Sequence, residues 1–189
     1  MKSKKADVWV SAVLYFGLGI IVISLLLAAG LPAINKLRDK NVVIQSKGVF
    51  QVIDKNIRDV VRGGPGSQRV VNVDIKKGDF KIDDSKEEIT WEYSTKIAIS
   101  EPGSSPPGSA SGSAIPVSEG NIKIATWKEG DGYKVRMWLL YSDPDPAKSI
   151  VVFNSGEVNT ISGLTDLSIR NDGLSPSTNK VQVSISEIK

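Results

Sequence analysis

The chain's hydrophobic pattern changes twice. From Val8 to Asn35 there are 28 consecutive residues without a charge, opening VWVSAVLYFGLGIIVISLLLAAG. As a helix this run would extend about 42 Å, more than the roughly 30 Å of a bilayer's hydrocarbon core. From Lys36 the pattern becomes one-sided: Val42, Val49, Ile53, Ile57 and Val60 recur at helical spacing, and Lys40, Lys47, Asp54, Lys55, Arg58 and Asp59 fall mostly on the other faces. The cluster Gly63-Gly64-Pro65-Gly66 then stops the helix. The prediction is a single helix over 7–62, apolar all round over 8–35 and amphipathic over 36–62.

After Gly66 the period falls to two. Val71, Val73 and Ile75 alternate with polar residues, as do Phe80 with Ile82, Ile89 with Trp91 and Tyr93, and Ile97 with Ile99. The alternation returns at Ile122 with Ile124, at Tyr133 to Tyr141, at Leu167 with Ile169, and at Val181, Val183 and Ile185, while Val151-Val152-Phe153 is continuously apolar. Turn signals stand at Lys77-Gly78-Asp79, Gly130-Asp131-Gly132, Asp143-Pro144-Asp145-Pro146, Asn154-Ser155-Gly156 and Asn171-Asp172-Gly173. Eight to ten short strands are expected. The fold class is α+β, a long N-terminal helix followed by an antiparallel β-sandwich over 63–189, with an immunoglobulin-like arrangement among the options. Within it, 14 of the 20 residues from Glu101 to Gly120 are Gly, Pro or Ser. That segment reads as an exposed loop or connector, open to modification on Ser or Thr because the chain has no Asn-x-Ser/Thr acceptor.

Composition removes most familiar chemistry. With no His and no Cys among 189 residues, there is no Cys or His zinc site, thiol nucleophile, disulfide or imidazole base. Asp143 with Asp145, or Glu129 with Asp131, could offer oxygens to calcium, but the twelve-residue loop pattern is missing and ordinary turn acids are the simpler reading. Gly63-Gly64-Pro65-Gly66 lacks the Lys-Ser/Thr of a phosphate loop and precedes a strand. Trp91, Trp127 and Trp138 read as packing residues on strands. No catalytic residue, cofactor site or metal site is assigned, and an enzyme is not expected.

The net charge of +3 is unevenly distributed. Lys2, Lys4 and Lys5 precede Asp7, and residues 36–62 carry +4, which leaves −3 for residues 63–189. The positive charge lies beside the apolar run, so nucleic acid is not expected as the main partner. The leading lysines place the N-terminus in the cytoplasm by the positive-inside tendency, although Lys36, Arg38 and Lys40 flank the far end. A secretory signal peptide is the competing reading, with Ala28, Ala29 and Ala33 as small residues for cleavage. Gly30 and Pro32 weaken the helical hydrogen-bond ladder and are candidate kink positions, though both residue types are common in membrane helices.

A short basic leader with Lys4, Lys5 and Ala6, then Asp7 and a long apolar helix from Val8, resembles the type IV pilin family, most closely its archaeal members with a class III signal peptide. Where bacterial pilins carry a glutamate near the start of the mature chain, this sequence has Ser11. The resemblance implies a basic leader over 1–6, cleaved by a prepilin peptidase between Ala6 and Asp7. It implies a membrane-anchored precursor that assembly machinery turns into a cell-surface helical filament, a homo-oligomer packed through the helix. Val13, Leu14, Ile20, Ile21, Ile23, Leu25 and Leu26 are then the candidate assembly residues. The alternative is a membrane-anchored extracellular β-sandwich binding module that never polymerises.

Overall fold

The computed structural model describes residues 4–84, 86–109, 111–141, 150–154, 160–176 and 179–188. The turns expected at Asp143–Pro146 and Ser155-Gly156, and the acid pair Asp143 and Asp145, lie outside the described residues. Among the described residues, one α-helix, α1, runs Lys4–Arg62 and is followed by nine strands. These are β1 (Gln68–Asp83), β2 (Glu88–Thr95), β3 (Pro102–Gly103), β4 (Val117–Glu119), β5 (Ile122–Glu129), β6 (Gly132–Leu140), β7 (Ile150–Asn154), β8 (Ile161–Leu174) and β9 (Val181–Ile188). The chain divides into two compact units, residues 1–38 and 39–189.

In the second unit the strands form one mixed sheet in the order β3-β5-β6-β2-β1-β8-β9-β7, with β4 added beside β5. The pairs β3 with β5 and β7 with β9 are parallel and the others antiparallel. The α+β class therefore stands, but the strands join a single curled sheet, and the two facing sheets of an immunoglobulin-like sandwich are not confirmed. The layer that closes the core is helical. Val42, Val43, Phe50, Ile53, Ile57 and Val60 are buried in one cluster with Val73, Phe80, Trp91, Met137, Ile169 and Ile185 from five strands. Val49 packs at the edge of that cluster, so the helical stripe read from spacing faces the sheet. Phe50 meets Phe80 edge-on, with ring centroids 5.6 Å apart.

Two expected turns are bulges inside long strands. β1 continues for 16 residues through Lys77-Gly78-Asp79, where its register with β8 shifts between Ile75 and Phe80. Gly78 has φ 87°, and a Cβ there would lie 2.5 Å from the Trp91 indole nitrogen. The backbone bends away at that residue, and the indole N–H donates to the Lys77 carbonyl at 2.8 Å. A glycine is needed both for the left-handed conformation and for the close approach. The second bulge, between Asn171 and Gly173, bends β8. It turns Asn171 inward, where its amide donates to the Val60 carbonyl at 3.3 Å and its side-chain oxygen accepts from the Gly173 N–H at 2.8 Å. The end of α1 is thereby tied into the sheet. Gly130-Asp131 is a true two-residue hairpin loop, with Glu129 paired to Gly132.

The Gly/Pro/Ser segment is also more structured than expected. It contributes β3 and β4, and its turn is held by its own hydrogen bonds, including Ser104 N–H and Ser105 N–H to the Gly112 carbonyl at 2.9 and 3.1 Å. Ala114 is buried with Ala125, Trp127 and Trp138 in a second small core. Ile97 and Ile99, read as a strand by their alternation, fall instead in bends after β2.

Because α1 supplies one wall of the core, the foldable piece begins near Asp39 and not at Gly63. A chain of residues 39–189 should unfold cooperatively, whereas residues 63–189 alone should aggregate or lack the cooperative transition, as followed by circular dichroism in urea. Within the longer piece, Ile57→Ala should cost about 2–5 kcal/mol, the range for truncating a large buried aliphatic.

Candidate assembly surface

In the first unit, the large apolar side chains of α1 are exposed. Val13, Leu14, Ile20, Ile21, Ile23, Leu25 and Leu26 are all exposed, from 50 % for Ile20 to 68 % for Leu14. Trp9, Val10, Tyr15, Phe16, Leu18, Val22, Leu27, Leu31, Ile34 and Leu37 are exposed as well, so the apolar surface surrounds the helix and is wider than the seven residues singled out. The most apolar window of the helix is not buried within the chain at all, and by length and composition it can cross a membrane as an anchor or serve as a signal sequence.

Local features fit an apolar setting. Ser24 Oγ donates to the Ile20 carbonyl at 2.8 Å, which satisfies the hydroxyl inside its own helix. Beside Gly17, Gly19 and Gly30 the space is open, with no neighbouring atom within 4 Å of where a methyl group would stand, so another backbone can approach closely there. Pro32 lies within the helix, which continues through Gly30 and Pro32 to Arg62. Ala6 and Asp7 lie near the start of the helix, which begins at Lys4.

Polar clips hold α1 on the sheet in the second unit. The Asp39 carboxylate accepts from Tyr93 Oη at 2.9 Å, Thr95 Oγ1 at 2.8 Å and the Lys96 N–H at 3.3 Å. Burial alone would raise its pKa, but the hydrogen bonds from Thr95, Tyr93 and Lys96, aided by the Lys77 charge, outweigh it and hold Asp39 below the usual carboxylate value. Lys47 pairs with Glu119 of β4. Asp54 accepts from Asn121 at 2.7 Å, Tyr141 Oη at 3.0 Å and Arg58 Nε at 3.0 Å. Burial pushes the Tyr141 hydroxyl well above its ordinary pKa, and the Asp54 carboxylate adds to that shift by its charge and by accepting the proton.

Beside Asp54 an open groove of about 530 Å³ runs between α1 and the β4–β5 turn, with Lys55, Arg58, Asp59 and Arg62 along its helical wall. It is lined by charges of both signs, and the Asp54 carboxylate is already occupied by three donors. Among the described residues no group of three His, Cys, Asp or Glu is placed to hold a metal ion, and this includes Glu129 and Asp131. The clips were not legible in the sequence, because Asp39 and Asp54 look there like ordinary solvent-facing helix charges. Comparison of the chain with protein-family models, curated proteins and solved structures found no match.

Asp39 and Tyr141 set opposite pH limits on the second unit. Asp39, held low in the fold, contributes stability that is present above about pH 4 and is lost as pH falls through its folded value. Tyr141, held high, contributes stability that is complete below about pH 10 and is lost as pH rises through its folded value. Urea titrations across pH should show Asp39→Asn flattening the acid limb and Tyr141→Phe flattening the alkaline one.

Proposed function

We propose that this chain is a structural subunit of an extracellular type IV pilus-like filament, polymerising through the apolar half of its N-terminal helix. The observation that carries this reading is the exposed apolar surface of residues 9–37 on the same helix whose later turns complete a folded β-rich domain. Such a surface must be covered. Lipid covers it in a membrane-anchored precursor with its N-terminus in the cytoplasm, and copies of the same helix cover it in a filament. Burying one Leu or Ile side chain contributes about 1.5–3 kcal/mol, so the many large apolar residues of 9–37 provide a strong driving force once copies meet outside lipid. The resemblance of Lys4, Lys5, Ala6 and Asp7 to a prepilin junction supplies the remaining partners, a peptidase that cuts after Ala6 and an assembly machine. The β-rich domain then forms the filament's outer layer at the cell surface.

Mass spectrometry of the mature chain reads the first step: a chain starting at Asp7 is expected, and one starting near Ile34 would indicate an ordinary secretory signal. Electron microscopy reads the second. A single central charge costs about 2.5–3.5 kcal/mol on insertion scales, so Ile21→Lys should still reach the membrane. Between packed helices, without water, an unpaired charge costs several kcal/mol, so Ile21→Lys should abolish filaments. Ser162→Lys, at an exposed position of β8, should leave them intact. Filaments of normal length from Ile21→Lys, or a cleaved wild-type chain that stays monomeric with its machinery present, would favour the non-polymerising anchored module.

A further inference from the structure

The open groove beside Asp54, at about 530 Å³, falls within the roughly 300–1,000 Å³ of small-molecule sites. Its helical wall is one stripe: Gln51, Lys55, Arg58 and Arg62 follow at spacings of four, three and four, so they share a face of α1. Lys55 and Arg62 stand about 10 Å apart along the helix axis. Counted by sign, the lining is nearly balanced, with four cations and three carboxylates. Counted by what is already engaged, it is cationic. Glu119 is paired with Lys47, and Asp54 accepts from Asn121, Tyr141 and Arg58. Arg58 gives Asp54 only its Nε–H, which leaves both terminal nitrogens of a side chain that is 42 % exposed. Lys55 and Arg62 are exposed and form no ion pair with another described residue. Three cationic groups therefore stand in line, and Asp59 is the one remaining carboxylate of the lining.

Two carboxamides complete the lining. Asn121 gives an amide N–H to Asp54, and Gln51 is exposed; both side chains can donate to and accept from hydroxyl groups. We infer that this groove binds an acidic glycan, a chain of sugars that carries carboxylates. Successive carboxylates pair with Lys55, Arg58 and Arg62, and ring hydroxyls meet Gln51 and Asn121. A neutral sugar leaves the cations without partners, and a single small anion occupies only part of a line about 10 Å long. Nucleic acid fits less well. Among the described residues no aromatic ring lines the groove to stack a base, and residues 63–189 carry a net −3 that repels a polyphosphate. The groove lies wholly within the second unit, so the inference stands apart from polymerisation.

Titration calorimetry on the full-length chain in an uncharged detergent tests the site. A galacturonate tetramer and a hyaluronan tetramer are the acidic probes, and maltotetraose is the neutral comparison. At least one acidic tetramer should bind, more weakly as salt is raised, and maltotetraose should not. Lys55→Gln and Arg62→Gln should each weaken binding about fivefold, the upper end for an exposed ion pair. Gln51→Glu, which places a carboxylate in the stripe, should abolish it. All three positions are exposed, so the urea midpoints of these variants should match the wild type. Unchanged affinity when Lys55→Gln and Arg62→Gln are combined, or no binding of either acidic tetramer at low salt, would overturn the inference. Equally tight binding of the galacturonate monomer would assign the groove to a small anion, and tighter binding of a single-stranded oligodeoxynucleotide of the same charge would assign it to nucleic acid; either result overturns it too. Filament formation enters none of these measurements, so a failure here leaves the filament reading standing.

Discussion

The second unit depends on the burial of Val42, Val43, Phe50, Ile53, Ile57 and Val60 against the inner face of the sheet. The strands present Val73, Phe80, Trp91, Met137, Ile169 and Ile185 to one side, and without the helix that side would face water. The polar contacts are arranged around this burial. Asp39 secures the first turn of the unit to the end of β2, Asp54 meets Asn121 and Tyr141, and Asn171 holds the last turn at Val60. Buried polar groups are costly unless paired, and here each clip pairs a helix group with a specific place on the sheet. The clips fix where the helix lies, and the apolar stripe supplies most of the free energy that keeps it there.

Much of this was legible in the sequence. Periodicity located α1 almost to the residue, its amphipathic stripe, and the strands β2, β5, β6 and β9, because long segments with one buried face repeat at a fixed spacing. What was lost came from local signals that tertiary context overrode. Lys77-Gly78-Asp79 and Asn171-Asp172-Gly173 have turn composition, yet a glycine at positive φ serves a bulge as well as a turn, and only the partner strand decides which. Ile97 and Ile99 alternate correctly but have no partner strand among the described residues. The Gly/Pro/Ser segment has too few large side chains to suggest a core, and one alanine over two tryptophans is enough to seat it.

The candidate assembly surface was legible for the opposite reason. An uninterrupted apolar run needs no tertiary information to be recognised, and the structure shows only that the chain itself does not cover it.

The place of β9 in the sheet has a consequence for when the domain can form. β7, residues 150–154, pairs only with β9 among the described strands, and β9, residues 181–188, lies between it and β8. The order of the sheet therefore closes only when β9 has been made, and the helical wall, synthesised earlier, must wait for it. Contacts of such long sequence separation fold slowly. Until residues 181–188 have been synthesised, the stripe on α1 lacks its complete partner, so the nascent domain leaves that apolar stripe uncovered by the finished sheet.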